Sequence, residues 1–220
     1  MKQLLVVDSS ARVSRSLSRA LTERAVDRFR SHCPDARIVH RDVGRWPVPA
    51  LDEAWIAAAF APPGARSAID DRALAASEEL VDELVSADAV VMGAPIYNFG
   101  LPAQLKAWID QVVRIGRTFE YGTNSDEPYR PLLRRQPVLV ATSAGTTAMF
   151  PSGPWYASNF LEPQLVTLCA FIGLGEPAFV RIGGAEDPEG DIARCISEAH
   201  HAIDGAVDLW FPSARGERRP

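Results

Sequence analysis

Cysteine is scarce in this chain and carries no pattern. Cys33, Cys169 and Cys195 are odd in number and widely spaced, with no Cys-x-x-Cys pair. Neither a disulfide framework nor a thiolate metal site is indicated, and three reduced, mostly buried thiols are expected. The histidines are His32, His40 and the neighbours His200 and His201. Adjacent residues do not share a helix face, so the pair makes a poor metal site and no metal is expected. An excess of positive charge is also lacking: the formal net charge is −5. A binder of phosphate backbones needs a basic face, so no nucleic-acid partner is expected. No apolar run approaches the roughly 18 residues of a membrane span. The opening "MKQLLVVDSS" has too short an apolar stretch, and no small-residue cleavage pattern, for a signal peptide. A cytoplasmic protein with no membrane partner is the expectation. The chain also lacks Gly-x-Gly-x-x-Gly and Gly-Lys-Ser/Thr after its first apolar run, which excludes a dinucleotide fingerprint and an NTPase phosphate loop there.

What is present is an ordinary globular composition, 47% hydrophobic and 23% charged over 220 residues. That is enough apolar material for a large core in one domain. Short apolar runs suited to strands buried on both faces recur at 3–9 (QLLVVDS), 36–43 (ARIVHRDV), 87–95 (ADAVVMGAP), 137–145 (PVLVATSAG) and 177–184 (PAFVRIGG). Helical patterns separate them. Leu17, Ala20, Leu21, Ala25 and Phe29 mark the first, and residues 69–86 the second. Leu101, Leu105, Trp108, Ile109, Val112 and Val113 trace the face of a third. Residues 159–173 form a fourth, and the last runs from about Pro188 to Trp210. Residues 44–68 are rich in Pro and Ala; a connection of this length is usually functional or loosely ordered. One domain is expected over 1–210, with residues 211–220 a basic, frayed tail.

Five strands alternating with helices predict an α/β fold: a doubly wound, five-stranded parallel sheet of order 2-1-3-4-5. In such sheets ligands sit beyond the carboxyl ends of the strands, at the switch point between strands 1 and 3. Function is therefore sought in the loops after strands 1, 3 and 4.

The first loop, "SSARVSRS", places Ser9, Ser10, Ser14 and Ser16 around a helix start. Hydroxyls and free amides at a helix N-terminus bind an anion without lysine, and Arg12 or Arg15 adds charge. Plain N-capping by Ser14 or Ser16 is the alternative. The second loop lies in "PIYNFGLPAQL", residues 95–105. Tyr97, Asn98 and Phe99 offer aromatic edges, backbone donors and an amide, as a flat heterocycle requires. A hydrophobic staple for the next helix is the alternative. The third loop, Thr142 to Thr147, has small side chains that let backbone come close.

The stretch "PIYNFGLPAQLKAWIDQVVRIGRTFEYG" resembles the central signature of the FMN-dependent NADH azoreductases, which are also NADH:quinone oxidoreductases of flavodoxin-like fold. "DSSARVSRSLSRAL" is similar to their phosphate loop, "ATSAGTT" stands at their Ser-x-Gly-Gly-type loop, and "FLEPQLVTLCAFIGL" resembles a later helix. The similarity runs from about residue 3 to about residue 205. The resemblance implies non-covalent FMN, one per subunit. Ser10, Ser14, Arg15 and Ser16 fall where the family holds the phosphate. Ile96, Tyr97, Asn98 and Phe99 fall on the loop that cups the isoalloxazine. Ser143, Ala144, Gly145 and Thr146 fall on the loop reaching its pyrimidine end. Ile96 replaces a usual Met, and Thr146 a common second glycine.

The implied activity is a two-electron, ping-pong transfer from NADH or NADPH to quinones and azo compounds. No catalytic side chain is demanded, and backbone N–H groups near Asn98 and Gly145 are the candidates for stabilising the reduced flavin. Trp55, Phe119, Tyr121 and Phe171 suit a walled substrate pocket. The apolar helix 159–173 suits a homodimer interface, with Phe171 reaching toward the partner's flavin by the resemblance. A flavodoxin-type electron carrier without NADH turnover, and a flavin reductase using FMN as substrate, are the alternatives.

Overall fold

Alternating apolar side chains divide each central strand between two cores. In β1 (Gln3–Asp8), Leu5 and Val7 face one side while Leu4 and Val6 face the other. In β3 (Ala89–Pro95) every residue is buried, as a strand covered on both faces requires. The computed structural model describes residues 2–62, 64–184 and 191–211. Within them the chain continues through α1 (Leu17–His32), β2 (Arg37–Asp42), α2 (Glu53–Phe60), α3 (Ala68–Ser86), β3 and α4 (Ala103–Val112). There follow β4 (Phe119–Tyr121), β5 (Tyr129–Pro131), β6 (Val138–Ser143), α5 (Leu161–Ile172), β7 (Pro177–Ile182) and α6 (Ile192–Asp208).

The main sheet has order β2-β1-β3-β6-β7, all parallel. This is the expected 2-1-3-4-5 once the separate β4–β5 hairpin is set aside. One core lies between the sheet and residues of α3, α4 and α5, such as Leu80, Trp108 and Leu165. The other lies under α1 and α6, with Leu21, Phe29 and Ile203.

Two elements depart from the expectation. Residues 44–68 are not loosely ordered throughout, because α2 forms inside them. Asp52 caps α2 by accepting from the amide of Trp55 at 2.8 Å, and Trp55, Ala58 and Ala59 are buried. The β4–β5 hairpin also went unread, since three-residue strands are too short to show a period. The expected start of the last helix near Pro188 and nearly all of the basic tail lie outside the described residues.

Helices α1 and α6 run parallel, joined by a seam of ion pairs. Arg24 Nε donates to Asp204 Oδ1 at 2.8 Å, and one turn on Arg28 grips both oxygens of Asp208 at 2.6 Å. His32 Nε2 lies 2.7 Å from the same carboxylate and stacks on Phe211 at 4.6 Å. Arg28, then His32, hold the Asp208 carboxyl down at about 2.

Candidate functional site

The strands deliver their loops to one edge. Asp8 of β1 lies opposite Gly93, Pro95 of β3 opposite Ser143, and Ser143 of β6 opposite Ile182. Beyond these ends opens a cleft of about 430 Å³, within the range of small-molecule sites. Ser10, Arg12, Arg15 and Ser16 line one part of it, Pro95, Ile96 and Tyr97 a second, and Ser143, Ala144 and Gly145 a third. Leu17 and Ile192 complete the wall.

The part below α1 suits an anion. Ser16 is the N-cap, its hydroxyl accepting from the amide of Arg19 at 3.4 Å. Leu17 and Ser18, as the first helical residues, have no acceptor one turn earlier for their amides. The first turn holds no acidic residue, so the positive end of the helix is not cancelled. Among the described residues Arg12 and Arg15 form no ion pair. Arg15 adopts a left-handed backbone, φ 56°. Ser10 Oγ accepts from the amide of Arg12 at 3.2 Å, and the hydroxyl of Tyr97 accepts from the amide of Ala11 at 3.3 Å, lacing the first loop to the second.

Not every serine of the loop faces this cleft. Ser9 is buried, and both its amide and its hydroxyl donate to the carbonyl of Gly93. Ser14 lines a neighbouring depression with Arg12, Val13 and Arg15.

The second loop is a tight turn. The amide of Tyr97 donates to the carbonyl of Gly100 at 3.2 Å and that of Gly100 to Tyr97 at 3.0 Å. Between them Asn98 and Phe99 both have positive φ, 46° and 72°. Two positive angles in a two-residue loop define a type I′ turn, which favours Asn then Gly. A phenylalanine in the glycine position is strained, by roughly 1–2 kcal/mol. Asn98 and Phe99 therefore stand beside the cleft and do not line it; the Phe99 carbonyl accepts from the amide of Phe160 at 2.9 Å.

In the third loop, Ala144 packs with Met149, Phe150 and Ile96. Thr146 turns away to cap the short helix 147–149, accepting from the amide of Ala148 at 3.2 Å.

The four residues expected to wall a substrate pocket are indeed together, but elsewhere. Trp55, Phe119, Tyr121 and Phe171 line a second cleft of about 510 Å³ that shares no lining residue with the first. Phe119 and Phe171 lie 4.8 Å apart, and Tyr129 stands 5.5 Å from Phe171. Trp55 is fixed from behind. Its Nε1 donates to Gln111 Oε1 at 2.9 Å, and Gln111 Nε2 donates to the carbonyl of Pro49 at 2.9 Å. The fully buried Arg114 lies 5.5 Å from the Trp55 ring, with Ser77 and Glu78 as partners. Burial lowers its guanidinium to about 10.

The polar cleft holds hydroxyls, amides and guanidinium groups, and among the described residues that line it there is no histidine, cysteine or carboxylate. A redox reaction there needs chemistry brought by a bound group. Among the described residues no cluster of three or more His, Cys, Asp or Glu is placed to hold a metal ion, and no helix is long and apolar enough to cross a membrane. Sequence reasoning missed Leu17, read only as a helix-face residue, and Ile192; nothing local ties the start of the last helix to the first loop.

A family profile described as flavodoxin-like fold matches residues 2–204. An FMN-dependent NADH:quinone oxidoreductase from Opitutus terrae is 45% identical over 204 residues, covering 93% of this chain and 96% of that protein. An FMN-dependent NAD(P)H:quinone oxidoreductase 1 from Pseudomonas aeruginosa is 44% identical over 188 residues, covering 84% of this chain and 89% of that one. Among solved structures, an azoreductase from Bacillus anthracis superposes with a TM-score of 0.84 at 21% identity, over 95% of this chain and 100% of that one. An FMN-dependent NADH-azoreductase from the same organism, solved in complex with FMN, gives 0.82 at 18% identity, over 95% and 99%. At such identities these two structures speak for the fold.

Proposed function

The chain belongs to the FMN-dependent NADH:quinone oxidoreductases of flavodoxin-like fold, and from this premise we propose that it holds FMN in the polar cleft and passes two electrons from NADH or NADPH to quinones and azo compounds. The observation that carries the reading is the composition of that cleft. An uncancelled helix N-terminus with serines and two uncommitted arginines fits a phosphate monoester. Beside it, Pro95, Ile96 and Ala144 give the apolar wall a flat ring requires.

In this reading Ser10, Arg15 and Ser16 hold the phosphate with Ser14 close by on the same loop. Ile96 and Tyr97 cup the ring beside the turn at Asn98 and Phe99, and Ser143, Ala144 and Gly145 reach its far end, ahead of the capping Thr146. The bound flavin supplies hydride acceptance and two-electron delivery. The chain's residues bind it non-covalently, one per subunit, orient it and exclude water. Amides near Asn98 and Gly145 are the donors for the negative charge of the reduced ring.

The reading extends to a homodimer. Ile56, Phe60, Tyr121 and Tyr129 leave large apolar surface exposed around the aromatic cleft. Such surface marks an interface, and a partner's Trp55, Phe119, Tyr121 and Phe171 would then wall the acceptor side of the flavin. A single domain over 1–210 and a cytoplasmic location complete the proposal.

The experiment is direct. The purified protein should be yellow, retain FMN through gel filtration, run as a dimer by light scattering, and oxidise NADH with a quinone panel. If donor and acceptor alternate at one ring face, double-reciprocal lines are parallel; intersecting lines would reject alternation. A colourless protein that gains no NADH oxidation on addition of FMN sinks the proposal.

A further inference from the structure

One arginine beside the polar cleft is closed to any ligand. Arg19, the third residue of α1, keeps only 12% of its side chain exposed. Its Nη1 and Nη2 donate to the two carboxylate oxygens of Asp42, each at 2.6 Å, in a forked pair. The rest of the guanidinium is spent on the loop. Nη2 also donates to the carbonyl of Ser10 at 2.8 Å, and Nε to the carbonyl of Arg12 at 3.0 Å. Asp42 is anchored in turn at the end of β2, where it accepts from the amide of Arg45 at 2.9 Å. A second carboxylate, Asp8, stands 3.9 Å from Arg19 Nη1. Gly44 closes the loop from above: a Cβ there would come within 2.2 Å of the Ser10 carbonyl oxygen.

We propose that Arg19, clamped by Asp42, is a positioning residue that shapes residues 10–16 for a phosphate monoester; this rests on the FMN reading above. The reason lies in the peptide group. In a trans peptide, C=O and N–H point in opposite directions. Holding the Ser10 and Arg12 carbonyls against Arg19 fixes the orientation of the N–H groups of Ala11, which meets the Tyr97 hydroxyl, and of Val13. It also removes two carbonyl dipoles that would repel an anion. The arginines thus divide: Arg19 goes to the protein's own carboxylates and carbonyls, while Arg12 and Arg15 stay uncommitted. Lysine cannot take this place, since one ammonium does not present a planar fork to these acceptors.

The test uses the full chain stripped of flavin, titrated with FMN and with riboflavin by flavin fluorescence. In Arg19→Gln the FMN dissociation constant should rise about tenfold to a hundredfold, as expected for losing charge-assisted bonds to the loop, with riboflavin changed by less than about threefold. Asp42→Asn should follow Arg19→Gln, and Arg19→Lys should fall between it and wild type. Hydrogen exchange of amides 11–16 in the flavin-free Arg19→Gln protein should accelerate while that of residues 21–29 stays unchanged. Equal losses for both flavins would show a merely structural arginine and overturn the inference, as would an unchanged FMN constant. If Arg19→Gln does not fold, Arg19→Lys is judged by the same FMN-to-riboflavin ratio. A wild type that binds neither flavin overturns the FMN reading together with this inference; a wild type that binds FMN, with an unaltered ratio in the variants, overturns this inference alone.

Discussion

The polar cleft takes its walls chiefly from three loops at one edge of the parallel sheet, whereas the aromatic cleft takes its walls from α2, the β4–β5 hairpin and α5, away from that edge. Backbone bonds between neighbouring loops tie the first together: Ile96 to Ser143, Ala144 to Ile182, Phe160 to Phe99. The second hangs on a side-chain node, in which Gln111 and Arg114 hold Trp55. The first cleft is framed by loops bonded to one another within one chain. The second leaves Ile56, Phe60 and Tyr121 facing water. A sheet edge suffices to build the polar cleft, while the aromatic cleft needs elements the edge does not supply.

Four measurements break or sharpen this contrast, beginning with the largest effect. Riboflavin lacks the phosphate proposed for the polar cleft, so it should bind about a hundredfold or more weakly than FMN, since several charge-assisted bonds would be lost at once. Equal retention of the two flavins would erase the distinction between the clefts. Ser16→Ala removes one such bond and should weaken FMN about tenfold. Because Ser16 also caps α1, it should cost about 1 kcal/mol of stability by urea unfolding. Phe171→Ala acts on the aromatic cleft, where the ring meets Phe119 and Tyr129. A ring contact is worth ~0.5–1.5 kcal/mol, so the KM for bulky quinones should rise about two- to tenfold, with that for NADH moving less. A larger rise for NADH would place the nicotinamide, not the acceptor, against these rings. The smallest effect should be Phe99→Gly, which relieves the left-handed strain beside the polar cleft. Flavin-free protein should gain at most ~1 kcal/mol in urea, at unchanged slope, because the strain relieved is partly offset by the entropy of a freed glycine. A loss of stability would mean that packing of the ring outweighs its backbone cost.

The sheet was legible because its strands are buried on both faces, which writes continuous apolar runs such as Leu4–Val7 and Ala89–Met92 into the chain. The meeting of three loops in one cleft was legible for a related reason: the switch point of a doubly wound sheet names the loops that converge before any contact is known. What stayed hidden depends on partners distant in sequence. Helix α2 is only eight residues long, set between prolines, and Trp55 is locked by Gln111 and Arg114 rather than by anything near it. Its aromatic character suggested a pocket, which is where it stands, but could not say which pocket. Thr146 was read as a residue beside the ring, yet its hydroxyl serves the short helix that follows, a capping use that its sequence neighbours disguise.

The seam between α1 and α6 acts as a vernier on the cradle. Its rungs, Arg24 with Asp204 and Arg28 with Asp208, are spaced by four residues on both helices, so they engage together only at one axial setting. A slip of half a turn, about 2.7 Å, unseats both, and a slip of a full turn leaves only one pair. Either slip also draws the opposite end of α6 along its axis, and with it Ile192, which lines the polar cleft together with Arg12 and Arg15. Deleting the rungs near the C-terminus, by Asp204→Asn with Asp208→Asn, is therefore expected to loosen flavin retention at the far end of the same helix, with the phosphate loop itself unaltered.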